Sequence, residues 1–145
     1  MQSARITLLL LLIASASSCS DRTSRQPQIH PRWKSLGIPV DRVTRVLDVS
    51  DEHGLFANYS GYRSEELLAI VSARLLAAGY EKVVCKQFDG RVFGFRKGND
   101  ELGVKIMDLP EHEVALGVFD PQSIDGPLLG VCLGKYTLGE PQFIR

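Results

Sequence analysis

The 145-residue chain has no excess of charge of either sign, because 17 Lys and Arg residues balance 17 Asp and Glu residues. Nucleic-acid-binding domains usually have a strong basic excess, so we expect no nucleic acid among the partners. Disorder of the whole chain is not expected either, since 44% of the residues are hydrophobic and 23% are charged. The length allows one domain with a modest core.

The chain also lacks the short motifs of common enzymatic chemistry. It has no P-loop, no GxGxxG sequence and no GxSxG nucleophile elbow. His53 and His112 lie beside carboxylates, in Asp51-Glu52-His53 and Glu111-His112-Glu113, but neither cluster has the spacing of a zinc motif. We therefore predict no catalytic residue, no metal site and no cofactor, and interpret both clusters as solvated turns.

No apolar run approaches the roughly 20 residues that a membrane-spanning helix needs. The run within residues 6–14 follows a single positive charge at Arg5 and leads into small residues. This arrangement is typical of a cleaved secretory signal peptide, which we place at residues 1–18. The sequence therefore predicts export from the cytoplasm.

The end of this segment, Ala16-Ser17-Ser18-Cys19, resembles the lipobox of bacterial lipoproteins. The resemblance implies that the Cys19 thiol receives lipid, that cleavage makes Cys19 the first residue, and that acyl chains hold the protein in a membrane. Ser20 follows the cysteine, which in that family favours the outer membrane, here facing the periplasm. Ala14-Ser15-Ala16 leaves an alternative open, because it fits an ordinary signal peptidase site and would give a soluble secreted or periplasmic product.

Cysteine is scarce: the chain has three, and an exported protein with an odd number has one unexplained thiol. Lipidation of Cys19 would leave Cys85 and Cys132 as an even pair that can form a disulfide in an oxidising compartment. This bond would close a loop of roughly 46 residues, which in the chain-entropy model contributes about 4 kcal/mol to stability.

Residues 19–36 are expected to comprise the lipidated cysteine and a flexible tether, because the stretch is polar and shows no apolar periodicity. Trp33 is the exception, and we interpret it as packing at the entry to the domain rather than contacting lipid. Residues 37–145 are then a single small domain, with an irregular C-terminal segment at residues 120–145.

The pattern of this domain predicts the order β-α-β-β-β. An amphipathic helix is expected at residues 64–79, with Ser64 as its N-cap and Gly79 just beyond its end. Strands are predicted at residues 43–49, 55–59, 81–88, 91–97, 100–108 and 112–119, the second being the least certain to form a separate strand. The fold class is α+β, with one helix packed on an antiparallel meander of about four to five strands in two layers.

Two-residue turns at Asp89-Gly90 and Gly98-Asn99 set the expected register of the meander. The second turn pairs Phe95 with Leu102, which gathers apolar side chains on one face of the sheet. These apolar side chains have to be shielded from water, and the amphipathic helix is the predicted element that can pack on them.

The opposite face is expected to present a row of positions without side chains. In this register Cys85 pairs with Gly94, Gly94 with Gly103, and Gly103 with Gly117. Glycine within strands often marks the close approach of another backbone or of a ligand. We expect the C-terminal segment to cover the row, with Cys132 bridged to Cys85; the alternative is that the row is the floor of an open groove for a peptide or acyl ligand.

These features predict a lipid-anchored cell-envelope protein whose domain binds another protein or supports an assembly without catalysing a reaction. An alternative is a periplasmic inhibitor or immunity-type protein that blocks a toxin or a wall-degrading enzyme. A small-ligand carrier that uses the glycine row as a pocket floor comes third, and an enzyme comes last.

Overall fold

The structure is a computed structural model that describes residues 28–85 and 87–135. Within these residues the chain forms one six-stranded antiparallel sheet and three α-helices, an α+β fold as predicted. The strands are β1 (Val43–Val46), β2 (Gly54–Ser60), β3 (Glu81–Val83), β4 (Val92–Lys97), β5 (Asp100–Asp108) and β6 (Glu113–Phe119). The helices are α1 (Pro31–Ser35), α2 (Ser64–Ala77) and α3 (Gly126–Cys132).

Helix α2 covers one face of the sheet. Its buried residues Leu67, Val71 and Leu75 recur at helical spacing, which confirms the predicted amphipathic face. The prediction of Ser64 as the N-cap is wrong by one residue, because Arg63 has the extended backbone of the cap and Ser64 is already helical. The helix ends before Gly79, whose φ of +95° is the left-handed conformation expected just beyond a helix end.

The main hydrophobic core lies between α2 and the sheet. Phe95 pairs with Leu102, as the Gly98-Asn99 turn predicts, and both side chains are buried there. The other buried side chains that the sheet contributes to this core are Leu55, Ala57, Tyr59, Val104, Ile106, Val114, Leu116 and Val118. Removal of these apolar surfaces from water is the main favourable contribution to folding.

The sheet is not a simple meander, and the predicted strand count and order differ from the structure. The strand order is β1-β2-β6-β5-β4-β3, so β2 lies inside the sheet and pairs with β6 along its whole length. Helix α2 therefore crosses from the interior of the sheet to the edge strand β3. Local sequence signals do not specify a pairing between segments so far apart in the chain.

The predicted strand over residues 81–88 is wrong beyond Val83. The tight turn at Asp89-Gly90 does form, since the Arg91 amide donates to the Phe88 carbonyl at 2.9 Å. The register between β3 and β4 is shifted by two residues from the prediction, so Gly94 pairs with Val83 and not with Cys85. Val84 is 79% exposed, which shows that the chain leaves the sheet at this point.

The register between β5 and β6 also differs from the predicted one by two residues. Asp108 pairs with Val114, so Gly103 lies opposite Phe119 and not opposite Gly117. The reason is a 3-10 turn at Pro110–His112, which makes the loop longer than the expected three residues. The glycine row is therefore continuous only across β4 and β5, where Gly94 pairs with Gly103 as predicted.

Helix α3 forms a third layer on the other face of the sheet, where an irregular segment was predicted. A smaller core of Phe56, Phe119 and Leu129 lies beneath it. Phe56 and Phe119 belong to β2 and β6, but they alternate with the residues that face α2. The two-layer prediction is thus wrong, because apolar side chains on both faces of the sheet need a cover.

Helix α1 lies within the stretch that was predicted to be a flexible tether. Trp33 is fully buried and donates from Nε1 to the Asp51 carbonyl at 2.8 Å, and Ile29 is buried in the same core. Residues 29–36 therefore belong to the domain, and Trp33 packs as predicted. The predicted signal peptide and Cys19 lie outside the described residues, among which no helix is long and apolar enough to span a bilayer.

Candidate functional site

A cluster of polar side chains, called here the entry cluster, lies at the end of the sheet where α1 docks. Its members are Arg32, Glu52, His53, Tyr80, Asp100 and Asp120. The antiparallel ladder brings the start of β2 next to the end of β6, because Gly54 pairs with Phe119. Residues just outside these two strands therefore meet, although they are far apart in sequence.

Asp120 lies at the centre of the entry cluster and is only 7% exposed. Its carboxylate accepts hydrogen bonds from Arg32 Nη1 at 2.6 Å, from His53 Nδ1 at 3.0 Å and from the Gln122 amide at 2.8 Å. Burial by itself would raise the pKa of Asp120, but the hydrogen bonds from Arg32 and His53 hold that pKa below its ordinary value. Asp120 is therefore a compensated buried anion at neutral pH.

His53 contacts a carboxylate through each of its ring nitrogens. Nδ1 lies 3.0 Å from Asp120 Oδ2, and Nε2 lies 3.3 Å from Glu52 Oε1. The hydrogen bond with Asp120 raises the pKa of His53 more than desolvation lowers it, and the negative charges of Glu52 and Asp51 add to the increase. This arrangement favours an imidazolium that donates from both nitrogens, and it leaves neither nitrogen free to accept a proton from a substrate.

Arg32 connects α1 to three other parts of the chain. Besides Asp120, its guanidinium donates to the Glu52 carbonyl at 2.7 Å and lies 3.9 Å from Asp100. Tyr80 in turn donates to Asp100, and burial together with this bond raises the pKa of Tyr80 to about 12. The entry cluster therefore fixes α1 to the ends of β2, β5 and β6.

The interpretation of His53 as part of a solvated turn is wrong, because it belongs to this network. The sequence contained no local signal for it, since Asp120 is 67 positions away. His112 lies in an exposed turn, as predicted. Among the described residues, no group of three His, Cys, Asp or Glu side chains is arranged to hold a metal ion.

A cleft lies at the opposite end of the sheet, beside the first turn of α2. It consists of two adjoining hollows of about 340 and 440 Å³ that share Ser64, Glu65 and Asp108. The charged side chains that line them are four carboxylates, a histidine and two guanidinium groups: Glu65, Asp108, Glu111, Glu113, His112, Arg63 and Arg91. The charged groups of the cleft therefore have an acidic balance.

The space above the three glycines of the predicted groove floor holds side chains. A Cβ at Gly94 would lie 3.2 Å from both Cys132 Sγ and Leu133 Cδ2, and one at Gly117 would lie 3.1 Å from the Phe56 ring. A Cβ at Gly103 would overlap the Phe119 ring. Each glycine thus lies under a side chain of the domain itself.

The two cysteines of the predicted bridge meet at one end of this surface. Cys132 is buried in α3, Cys85 is half-buried, and both are free thiols in the structure. The two thiols lie near each other, and burial together with the neighbouring Cys85 thiol raises the pKa of Cys132 to about 12.

No family model, no curated protein and no solved structure matches the chain. The entry cluster and the cleft are therefore the structural features that bear on its function.

Proposed function

We propose that the chain is a lipid-anchored cell-envelope protein whose domain binds another protein and catalyses no reaction. In this proposal, acyl chains on Cys19 hold it in the outer membrane, facing the periplasm. Two or more acyl chains on one residue give a stable anchor, because each buried methylene contributes about 0.8 kcal/mol. The segment between Cys19 and Ile29 then separates the domain from the headgroups.

The observation that supports this proposal best is that the N-terminal entry and the cleft lie at opposite ends of the sheet. Arg32 in α1 contacts Asp120, which follows β6, whereas the cleft is lined by residues that precede β6. Strands β2, β5 and β6 run between the two ends. An anchor that precedes α1 would therefore attach at one end and leave the cleft directed away from the bilayer.

The charges of the cleft indicate the chemistry of the partner. Its carboxylates outnumber its guanidinium groups by four to two, and Glu111 and Glu113 flank an exposed turn. A basic segment of a partner protein would complement this surface and would be steered towards it. Because Glu65, Asp108 and Glu111 are exposed to solvent, the expected complex weakens as ionic strength rises.

The entry cluster supports a structural role for its ionisable groups. Asp120 and Glu52 engage both ring nitrogens of His53, and Arg32 compensates the remaining charge of Asp120. Such a network fixes α1 in place. In a domain that is tethered through its N-terminal segment, this would keep the helix docked on the sheet. We therefore assign these residues to docking of the N-terminal segment and not to chemistry.

The test compares two charge-reversal variants with the same change in net charge. Asp108→Lys with Glu111→Lys changes the cleft, and Asp48→Lys with Glu81→Lys changes exposed carboxylates elsewhere. Full-length protein is crosslinked in intact cells, solubilised in detergent and recovered with its partner. The cleft variant should recover at least about tenfold less of one stoichiometric partner than the wild type or the control, since 1.4 kcal/mol corresponds to a factor of ten.

Two results would contradict this proposal: equal recovery of the partner by the cleft and control variants, or no stoichiometric protein with the wild type. The identity of the partner also decides the alternative function. A toxin or a wall-degrading enzyme would make the domain an inhibitor, whereas a structural envelope protein would support the assembly role.

A further inference from the structure

Cys132 lies on α3 and packs against the sheet at Gly94. Its Sγ atom would be 3.2 Å from a Cβ at position 94, so the sulfur occupies the space that the missing side chain of Gly94 leaves. The side chain is 6% exposed, and Leu133 covers the same glycine from the next position. Reagents in solution therefore have little access to this thiol.

Cys85 approaches the same place from the edge of the sheet. Val83 pairs with Gly94, and its Cβ would be 3.5 Å from a Cβ there, so Val83 faces α3. Cys85 is two residues farther on, just past the end of β3, and is half-buried. Its Sγ lies near the Cys132 thiol and 3.7 Å from the Gln87 carbonyl oxygen, to which it donates.

We propose that Cys85 and Cys132 form a redox site with unequal roles, in which Cys85 reacts first with a disulfide oxidant and Cys132 completes the internal bond. The Cys85 thiolate attacks one sulfur of a small disulfide and expels the other as a thiolate, which gives a mixed disulfide. Cys132 then loses its proton and attacks Cys85 Sγ, which expels the second small thiolate. Two protein thiols are oxidised and one small disulfide is reduced to two thiolates, which take up the two protons that Cys85 and Cys132 lose.

The surroundings of the two thiols support this order. Cys132 is buried whereas Cys85 is half-buried, so Cys85 is the more accessible nucleophile. Burial and the neighbouring Cys85 thiol also raise the pKa of Cys132 to about 12. Formation of the bond would attach α3 to the end of β3, across the surface of Gly94. The site goes beyond the proposed partner-binding function, and its chemistry can be measured whether or not a partner exists.

Reduced full-length wild-type protein is treated first with a limiting amount of iodoacetamide, and labelled peptides are identified by mass spectrometry. Cys85 should be alkylated at least about tenfold faster than Cys132 under native conditions, and the difference should disappear in denaturant. This measurement needs no variant, so it does not depend on whether a substitution disturbs folding. Equal native rates would contradict the unequal roles.

The second measurement uses glutathione disulfide as the oxidant. Wild-type protein should form the Cys85–Cys132 bond, Cys132→Ser should accumulate a glutathione adduct on Cys85, and Cys85→Ser should leave Cys132 unmodified. Peptide mapping separates these products from any reaction at Cys19. An adduct on Cys132 in Cys85→Ser, or the absence of an internal bond in the wild type, would overturn the proposal.

Discussion

Asp120 is a buried carboxylate whose charge is balanced by side chains from two distant parts of the chain. Arg32 precedes it by 88 positions and His53 by 67, and both donate to the same oxygen. Removal of one partner of a buried ion pair usually lowers the stability of the fold by more than the pair contributes to it. The reason is that the remaining buried charge is left without compensation. The entry cluster should therefore respond strongly to single substitutions.

Substitution of Asp120 tests this response. Asp120→Ala should lower the free energy of unfolding by about 2–3 kcal/mol, because it leaves Arg32 and His53 without their shared acceptor. Asp48→Ala, which removes an exposed carboxylate, should change it by less than about 0.5 kcal/mol. Urea denaturation followed by circular dichroism measures both values, and an equal effect of the two variants would show that the cluster does not stabilise the fold.

The pKa shift of His53 predicts how this contribution depends on pH. The pKa of His53 is raised above 6.5 in the folded state, so its stabilising effect is complete below about pH 6.5 and is lost as pH rises through the folded value. The difference in unfolding free energy between wild type and His53→Gln should therefore shrink between neutral and alkaline pH. If denaturation curves showed that this difference in unfolding free energy grows with pH, the raised pKa of His53 in the folded state would be refuted.

At the scale of elements, the sheet presents two faces that are packed by different means. Helix α2 covers one face with aliphatic side chains, whereas α3 and the stacked rings of Phe56 and Phe119 cover the other. The ring of Phe119 lies directly over Gly103. Glycine at this position therefore serves close packing within the domain.

A pair of substitutions at strand glycines tests this packing. Gly103→Ala should destabilise the fold by about 1–3 kcal/mol, because its Cβ would overlap the buried Phe119 ring. Gly117→Ala should destabilise the fold less than Gly103→Ala. The nearest Phe56 atoms would lie 3.1 Å from its Cβ, so the overlap with a neighbouring ring is smaller. An unchanged melting temperature for Gly103→Ala would contradict the close packing of the Phe119 ring on this glycine.

The elements that the sequence predicts well are those set by local signals. The residue bounds of β5, the turn at Gly98-Asn99 and the end of α2 before Gly79 follow from turn chemistry and periodicity. The pairing of β2 with β6 and the contact of His53 with Asp120 depend on segments that meet only in the folded chain. No local pattern specifies such contacts, so the sequence showed His53 beside Glu52 but not beside Asp120.

At the scale of the whole molecule, the domain has an entry end and a cleft end. Helix α1 begins at Pro31 and is fixed by Arg32 and Trp33, so the domain starts closer to Cys19 in the sequence than was predicted. With the proposed anchor at Cys19, fewer residues would separate the domain from the bilayer. The proposed orientation, with the cleft away from the membrane, depends on an anchor at the N-terminal side.

Lipid at Cys19 is the central feature of the proposed function, and intact-mass analysis of the processed protein from bacterial membranes tests for it directly. We predict a polypeptide that begins at Cys19 and has the added mass of acyl chains, and a Cys19→Ala variant that remains an unprocessed precursor without this modification. An unmodified polypeptide that begins at Ser17 would instead show cleavage at the ordinary signal peptidase site and would contradict the anchored orientation.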